Sequence, residues 1–367
     1  MQRWIKQTAK GKKRAEDLSY EEASAAAEAI ASGHSTDAQT AAILISERLK
    51  TESPEEALAF AETFRKHSCS IPVPQALKQK LVDFGGPYTG RKTFAATIPS
   101  SLLLAEMGLP VYLHSSDALP PRYGTPLKDI VAELGISLKT GPVRTAENLE
   151  EAGIGFGETE ELCPPLASLR KIRKELGVRT LLNTTEKIIS PPGAENIMTG
   201  IFHRTIVDTN ARLLRALGYK NMYMVQGVEG SEDLPVHRKS FLYHVTERET
   251  RCIDIDPKEA GIAAGRNKMM ENLTLTEQAD LIIQVLEGKG LSTEKGKYAH
   301  LLTTYNTGVR CYLFGLTPTI CDGIQLAEKK LEAGKGLQQL KLWRELSNET
   351  HFTDRPREQR QRRNCPV

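Results

Sequence analysis

The segment V-D-F-G-G-P-Y-T-G-R-K-T-F-A-A-T, Val82 to Thr97, decides the reading of this chain. It is a glycine-rich loop closed by Arg91, Lys92 and Thr93. An apolar run of helical character follows, then a short strand, Val111 to His114. Glycines let backbone N–H groups turn toward an oxyanion, and a helix N-terminus adds a partial positive charge. The loop therefore reads as a cradle for an anion, with Gly85, Gly86, Thr89, Arg91, Lys92 and Thr93 as its candidate residues. A Gly-Gly-Pro turn alone would be an ordinary turn. The order of elements around it makes it more than that.

Downstream of Leu81 the pattern alternates. The expected strands are Val111 to His114, Thr180 to Asn183, Met222 to Gly227, Phe241 to Thr246 and Arg251 to Ile255. Helices fall between and after them, at Leu166 to Leu176, Thr205 to Leu217, Ala279 to Leu286, Leu301 to Phe314 and Ile320 to Ala333. Alternation of this kind predicts a mostly parallel sheet with helices on its faces. Upstream the chain is helical. Ser19 with Glu22, Thr36 with Gln39, and Ser53 with Glu56 have the spacing of capping boxes, and Pro54 suits a first helical position. The fold class is α/β: a small helical N-terminal domain plus a larger α/β domain.

Bulk properties narrow the class. A chain of 367 residues has room for two domains, and 40% apolar with 26% charged residues is ordinary for a globular protein. A net charge of +3 neither demands nucleic acid nor excludes it. Apolar runs are too short to span a bilayer. The N-terminus, basic at Lys12, Lys13 and Arg14, lacks a signal-peptide core, so a cytoplasmic protein is expected. Six scattered cysteines with no C-x-x-C pair read as free thiols. Five arginines between Arg355 and Arg363, and the basic helix face of Arg170, Lys171, Arg173 and Lys174, read either as solvated charge or as phosphate contacts.

Several spaced motifs resemble those of the anthranilate phosphoribosyltransferase family, in the nucleoside phosphorylase/phosphoribosyltransferase superfamily. They are R-K-E-L-G-V-R-T-L-L-N (Arg173 to Asn183), S-P-P-G-A (Ser190 to Ala194), G-I-F-H (Gly200 to His203), L-R-A-L-G (Leu214 to Gly218), V-Q-G-V-E-G-S-E-D-L (Val225 to Leu234) and I-I-Q-V-L-E-G (Ile282 to Gly288). The resemblance implies a helical domain of residues 1–70, with 160–178 packing on it. The α/β domain would comprise 71–159 and 179–345, with the active site in the cleft between the two and a basic tail at 346–367. It implies transfer from phosphoribosyl pyrophosphate to an aromatic or nitrogenous acceptor, Mg²⁺ as cofactor, and a homodimer paired through the helical domain. Mapped onto this chain, Glu232 and Asp233 fall on the acidic pair that binds Mg²⁺, in reversed order. Thr93 follows the glycine loop, Thr97 falls where a serine supports the metal site, and His114 ends the next strand. Arg173 falls on an arginine that faces the aromatic substrate, and Asn183 and Asn306 support the cleft. A surface charge is the competing reading of Arg173, of Glu232 and of Asp233, and a packed polar residue that of His114.

The departures carry equal weight. The family's G-T-G-G-D-G is here G-G-P-Y-T-G (Gly85 to Gly90), where Pro87 removes a backbone donor and Tyr88 adds bulk. Its N-I-S-T is A-A-T-I (Ala95 to Ile98). Leu113 replaces a lysine, and S-S-D (Ser115 to Asp117) replaces G-N-R; Arg122 is the cation placed to compensate. Each lost charge-assisted contact to phosphate is worth about 1.5–3 kcal/mol. The chain therefore reads as a divergent paralogue with two functional expectations, beside the bland option of a structural paralogue that binds a related small phosphorylated metabolite without turnover. One is a Mg²⁺-dependent phosphoribosyltransferase-like glycosyltransferase. The other is a catalytically weak protein that holds nucleic acid non-specifically on basic surfaces, as some paralogues of this family are implicated in doing.

Overall fold

The computed structural model describes residues 1–11, 13–86 and 90–349. Its centre is a seven-stranded sheet. The strands are β1 (Val82–Gly85), β2 (Val111–Ser115), β3 (Ile154–Glu158), β4 (Asn196–Gly200), β5 (Asn221–Val225), β6 (Ser240–Val245) and β7 (Thr250–Ile255). Their order is β3-β2-β1-β4-β5-β6-β7. The first five pair in parallel, and β6 and β7 add an antiparallel edge. The mostly parallel α/β sheet is therefore as expected.

Three strands sit where no strand was expected, and one expected strand is absent. β1 is buried throughout, and β3 and β4 nearly so. A strand covered on both faces shows no alternation, and I-G-F-G-E lacks even the β-branched richness that would flag it. The apolar run Thr180 to Asn183 leads instead into the helix Leu182–Ile188. The Thr180 amide donates to Asn183 Oδ1 at 2.7 Å, and Leu181 and Leu182 are buried among the N-terminal helices. A run this short cannot be typed by periodicity, and tertiary burial decided it.

The capping boxes at Ser19, Thr36 and Ser53 are all formed, each with both reciprocal hydrogen bonds. Behind them Ala23, Ala27, Ile43, Leu44, Phe60 and Phe64 share one apolar core with Leu166, Leu169 and Ile172. Helices 275–286 and 294–313 join helix 97–106 in the main core against the sheet, and helix 207–216 packs in a separate cluster with β4 and β5. Among the described residues, no helix is long and apolar enough to cross a membrane. Cys163, Cys252, Cys311 and Cys321 are free, but Cys69 is disulfide-bonded, against the expectation of thiols throughout. Pairing depends on Cβ atoms about 3.8 Å apart in space, which spacing along a chain does not reveal.

The helical core also buries charge. Lys50 Nζ lies 3.0 Å from Glu47 and contacts Glu56, with both carboxylates fully buried. Burial, then repulsion from Glu56, pushes the Glu47 carboxyl up to about 8. A carboxyl raised in the folded state stabilises below its unfolded pKa of about 4.3, and that stability is lost as pH rises through the folded value. Glu47→Gln is therefore expected to raise the melting temperature by several degrees at pH 8.5 and leave it nearly unchanged at pH 4.5, read by thermal unfolding at both values.

Candidate functional site

The sheet has its topological switch between β1 and β4, because β2 and β3 lie to one side and β5 to β7 to the other. In open parallel sheets the crevice at the carboxyl ends of such strands is where ligands bind. Here those ends are Gly85 and Gly200. A cavity of about 520 Å³ opens at the Gly200 end, lined by Arg48, Arg179, Asn183, Lys187, Phe202 and His203. A second, of about 410 Å³, is lined by Arg91, Lys92, Thr93, Arg122, Glu229 and Asp233. Phe202 joins them. Arg179 lies over its ring at 4.0 Å from the first cavity, and Arg122 at 5.0 Å from the second.

The residues that close the glycine loop turn their donors onto the protein itself. The Lys92 amide donates to Glu229 Oε2 at 3.0 Å, and the Thr93 amide and hydroxyl donate to the same oxygen at 3.3 and 3.0 Å. Arg91 Nε lies 3.5 Å away. Glu229 holds this position with φ 56°, a left-handed conformation uncommon outside glycine. Gly86 serves packing: an added Cβ would stand 2.9 Å from the carbonyl oxygen of His114 and from Leu127. Gly90, at φ 69°, lies so close to Gly124 that a Cβ would meet its carbonyl oxygen at 2.3 Å. Thr89 lies outside the described residues, as do Pro87, Tyr88 and the arginines of the tail.

The acidic pair is close by and deeply buried. Asp233 forms 2.8 Å ion pairs with both Arg91 and Arg310, and accepts from the Thr97 amide at 3.2 Å. Asn306 fixes the segment by accepting from the Leu234 amide at 2.8 Å and donating to the Leu234 carbonyl at 2.9 Å. Glu232 differs: both carboxylate oxygens are buried without a hydrogen-bond partner among the described residues. Burial, then the Asp233 charge, pushes its carboxyl up, against the pull of Arg91 and Arg310. Burial would lower the Arg91 guanidinium, but Asp233, Glu229 and Glu232 hold it above its ordinary range.

Three candidates are engaged by neighbouring groups of the chain. His114 Nε2 is 3.1 Å from buried Asp83 and its Nδ1 is 3.3 Å from Thr159 Oγ1, so the imidazole is spent inside the sheet layer. Arg173 is 3% exposed and pairs with Glu186 at 2.8 Å. It is not a surface charge, because its helix turns it into the protein. Gly85 is packed against the Lys187 carbonyl. The basic helix face is also partly spent, with Arg170 on Glu160 at 2.5 Å and only Lys171 and Lys174 exposed. Asn183 does line the first cavity.

Sequence reasoning missed Arg48, Arg179, Lys187 and Phe202 as cleft residues, and Glu229 and Arg310 as partners of the loop and the acid pair. Phe202 and Arg179 lie inside motifs quoted above, but no spacing rule gives an aromatic ring flanked by two guanidinium groups. Burial holds the Lys187 ammonium down to about 8, with Glu232 opposing and Arg179 assisting.

Comparison with known proteins places this geometry. Residues 2–68 match the helical bundle domain of a glycosyl transferase family, and residues 79–337 match the a/b domain of the same family. The anthranilate phosphoribosyltransferase of Chromobacterium violaceum is 29% identical over 325 residues, 88% of this chain and 92% of that protein. That of Persephonella marina is 26% identical over 345 residues, 94% and 98% of the two chains. The crystal structure of the Thermus thermophilus enzyme superposes with a TM-score of 0.78 at 24% identity, covering 94% of this chain and 99% of that one. The Saccharomyces cerevisiae enzyme in complex with PRPP and Mg gives 0.81 at 18% identity, covering 94% and 97%.

Proposed function

The chain belongs to the anthranilate phosphoribosyltransferase family of glycosyl transferases, and from that premise we propose that it uses the family's scaffold to hold single-stranded nucleic acid along the cleft. One observation carries this reading. The Lys92 and Thr93 donors and Asp233, which a transferase would turn on a sugar pyrophosphate, are engaged by the chain's own residues, while basic side chains and the Phe202 ring line the cleft beside them. Single strands are held without sequence preference by a basic groove that follows the backbone and by aromatic faces that stack bases. Arg48, Arg179, Lys187 and Arg122 supply the first, and Phe202 the second.

The test is binding of a labelled oligothymidylate as salt is varied. About four neutralised phosphates give a slope of about −2.8 in log K against log salt, roughly fifty-fold loss for a fourfold rise. Affinity should also fall as pH rises through about 8, where Lys187 loses its charge. No binding at low salt would end this reading. The homodimer through residues 1–70, with the other domain limits given above, remains part of the proposal and is checked by light scattering.

Phosphoribosyl transfer is the activity of the relatives that match the chain nearly end to end, and for this chain Mg²⁺-dependent transfer from phosphoribosyl pyrophosphate to an unidentified acceptor is supported by Glu232. Its orphaned oxygens are the place for a hard cation, which takes one or two carboxylates and completes its shell with phosphate and water. Asp233 does not fit that role while two guanidinium groups hold it. When bound, magnesium neutralises charge on the departing pyrophosphate. On this reading Thr97 positions Asp233 and the loop residues bind the donor. A rise in melting temperature with millimolar magnesium and phosphoribosyl pyrophosphate together supports it, and no rise removes it.

A further inference from the structure

We propose that the amides of Lys92 and Thr93, the Thr93 hydroxyl and Arg91 form a complete oxyanion site, and that Glu229 holds it shut as a built-in substitute anion. The proposal does not rest on nucleic-acid binding. Three N–H and O–H donors converge on one carboxylate oxygen at 3.0 to 3.3 Å, with Arg91 Nε behind them at 3.5 Å. Converging backbone N–H groups with a guanidinium are the means by which proteins hold phosphate. A carboxylate is the side-chain group nearest to phosphate in charge and acceptor geometry.

Two features separate this from an ordinary surface ion pair. Glu229 reaches the site from a left-handed backbone, at φ 56° and ψ 18°, which is unfavourable for a non-glycine residue. Strain of that kind persists only where the surroundings enforce it, and it clusters at switch segments. The carboxylate also stands at a boundary, not in the core. Its side chain keeps 15% exposure, and the second cavity, lined by Lys92, Thr93, Arg122 and Arg238, opens directly onto it. A phosphate-bearing ligand entering that cavity would meet Lys92 and Arg122 first. It would then replace the carboxylate on the same donors, and Glu229 would leave with relief of its backbone strain.

The test uses inorganic pyrophosphate as probe, in magnesium-free buffer, by calorimetric titration. Glu229→Gly removes the carboxylate and suits the left-handed backbone. It is expected to bind pyrophosphate at least tenfold tighter than the wild-type protein. Glu229→Gln keeps an acceptor but loses the charge, and should gain less. Adding Thr93→Val to Glu229→Gly should abolish the gain. The idea is overturned if folded Glu229→Gly and Glu229→Gln bind no better than wild type, or if the gain survives Thr93→Val, because the anion then sits elsewhere. If Glu229→Gly fails to fold, Glu229→Gln alone decides. Failure of this test leaves oligothymidylate binding untouched, so the two ideas fall separately.

Discussion

Asp233→Leu is expected to cost about 3–5 kcal/mol of folding stability, the usual penalty for removing one partner from a buried ion pair. Asp233 neutralises two guanidinium groups that are essentially inaccessible, Arg91 at 1% and Arg310 at 0% exposure. Without it, two like charges face each other in a medium that solvates neither. Arg310 keeps its place over the Phe84 ring, 4.7 Å from the centroid, and the attraction of buried Glu232, and Arg91 keeps its longer contact with Glu229. A cation–π contact is worth about 2 kcal/mol at best when desolvated. Removing the whole cluster should be far milder. The quadruple variant Asp233→Leu, Glu232→Leu, Arg91→Leu, Arg310→Met is expected to recover most of the loss, because an apolar replacement carries no desolvation cost. Urea unfolding of the two variants decides it. A loss under about 1 kcal/mol for Asp233→Leu, the size of an exposed pair's contribution, would mean that Asp233 is not the keystone of this cluster and is available to a ligand.

How much of this was legible in the sequence divides by range. The caps at Ser19, Thr36 and Ser53 were readable because donor and acceptor lie three residues apart. The sheet was readable from alternation and from the order of motifs. β1, β3 and β4 were not, since strands buried on both faces lose the alternating signature, and V-D-F-G places a buried Asp83 where a core strand would ordinarily be apolar. Asp83 is accommodated by His114 of the neighbouring strand, a contact across the sheet that no local pattern encodes.

The site was legible in its residue types and not in its charge balance. Gly85 to Thr93 stood out as a place where donors gather, and Glu232 and Asp233 as an acidic pair. What the donors hold could not be read. Thr93 and Glu229 are 136 residues apart, and Asp233 and Arg310 are 77 apart. Whether a charge is free for a ligand depends on such long-range pairs, and they reverse the emphasis here. Lys92 and Thr93 hold the chain's own Glu229, and basic side chains gather around Phe202.

Phe202→Ala is accordingly expected to weaken binding of oligothymidylate by about 1–3 kcal/mol, roughly 5- to 150-fold, the range for loss of one stacking platform. The ring is half-buried, with the Arg179 and Arg122 guanidinium carbons 4.0 and 5.0 Å from its centroid, at the junction of the cavities. Bases stack on aromatic rings and on guanidinium planes alike. Stacking is little affected by salt, whereas phosphate contacts act through counterion release. The two contributions can therefore be separated by fluorescence anisotropy across a salt series. Phe202→Ala should lower affinity by the same factor at every salt concentration. Arg122→Gln should instead make the slope shallower by about 0.7, the change expected for one phosphate contact on a single strand. If Phe202→Ala changes the slope and not the offset, the ring merely holds the arginines in place and no base stacks on it. If neither variant changes binding, nucleic acid does not occupy this cleft.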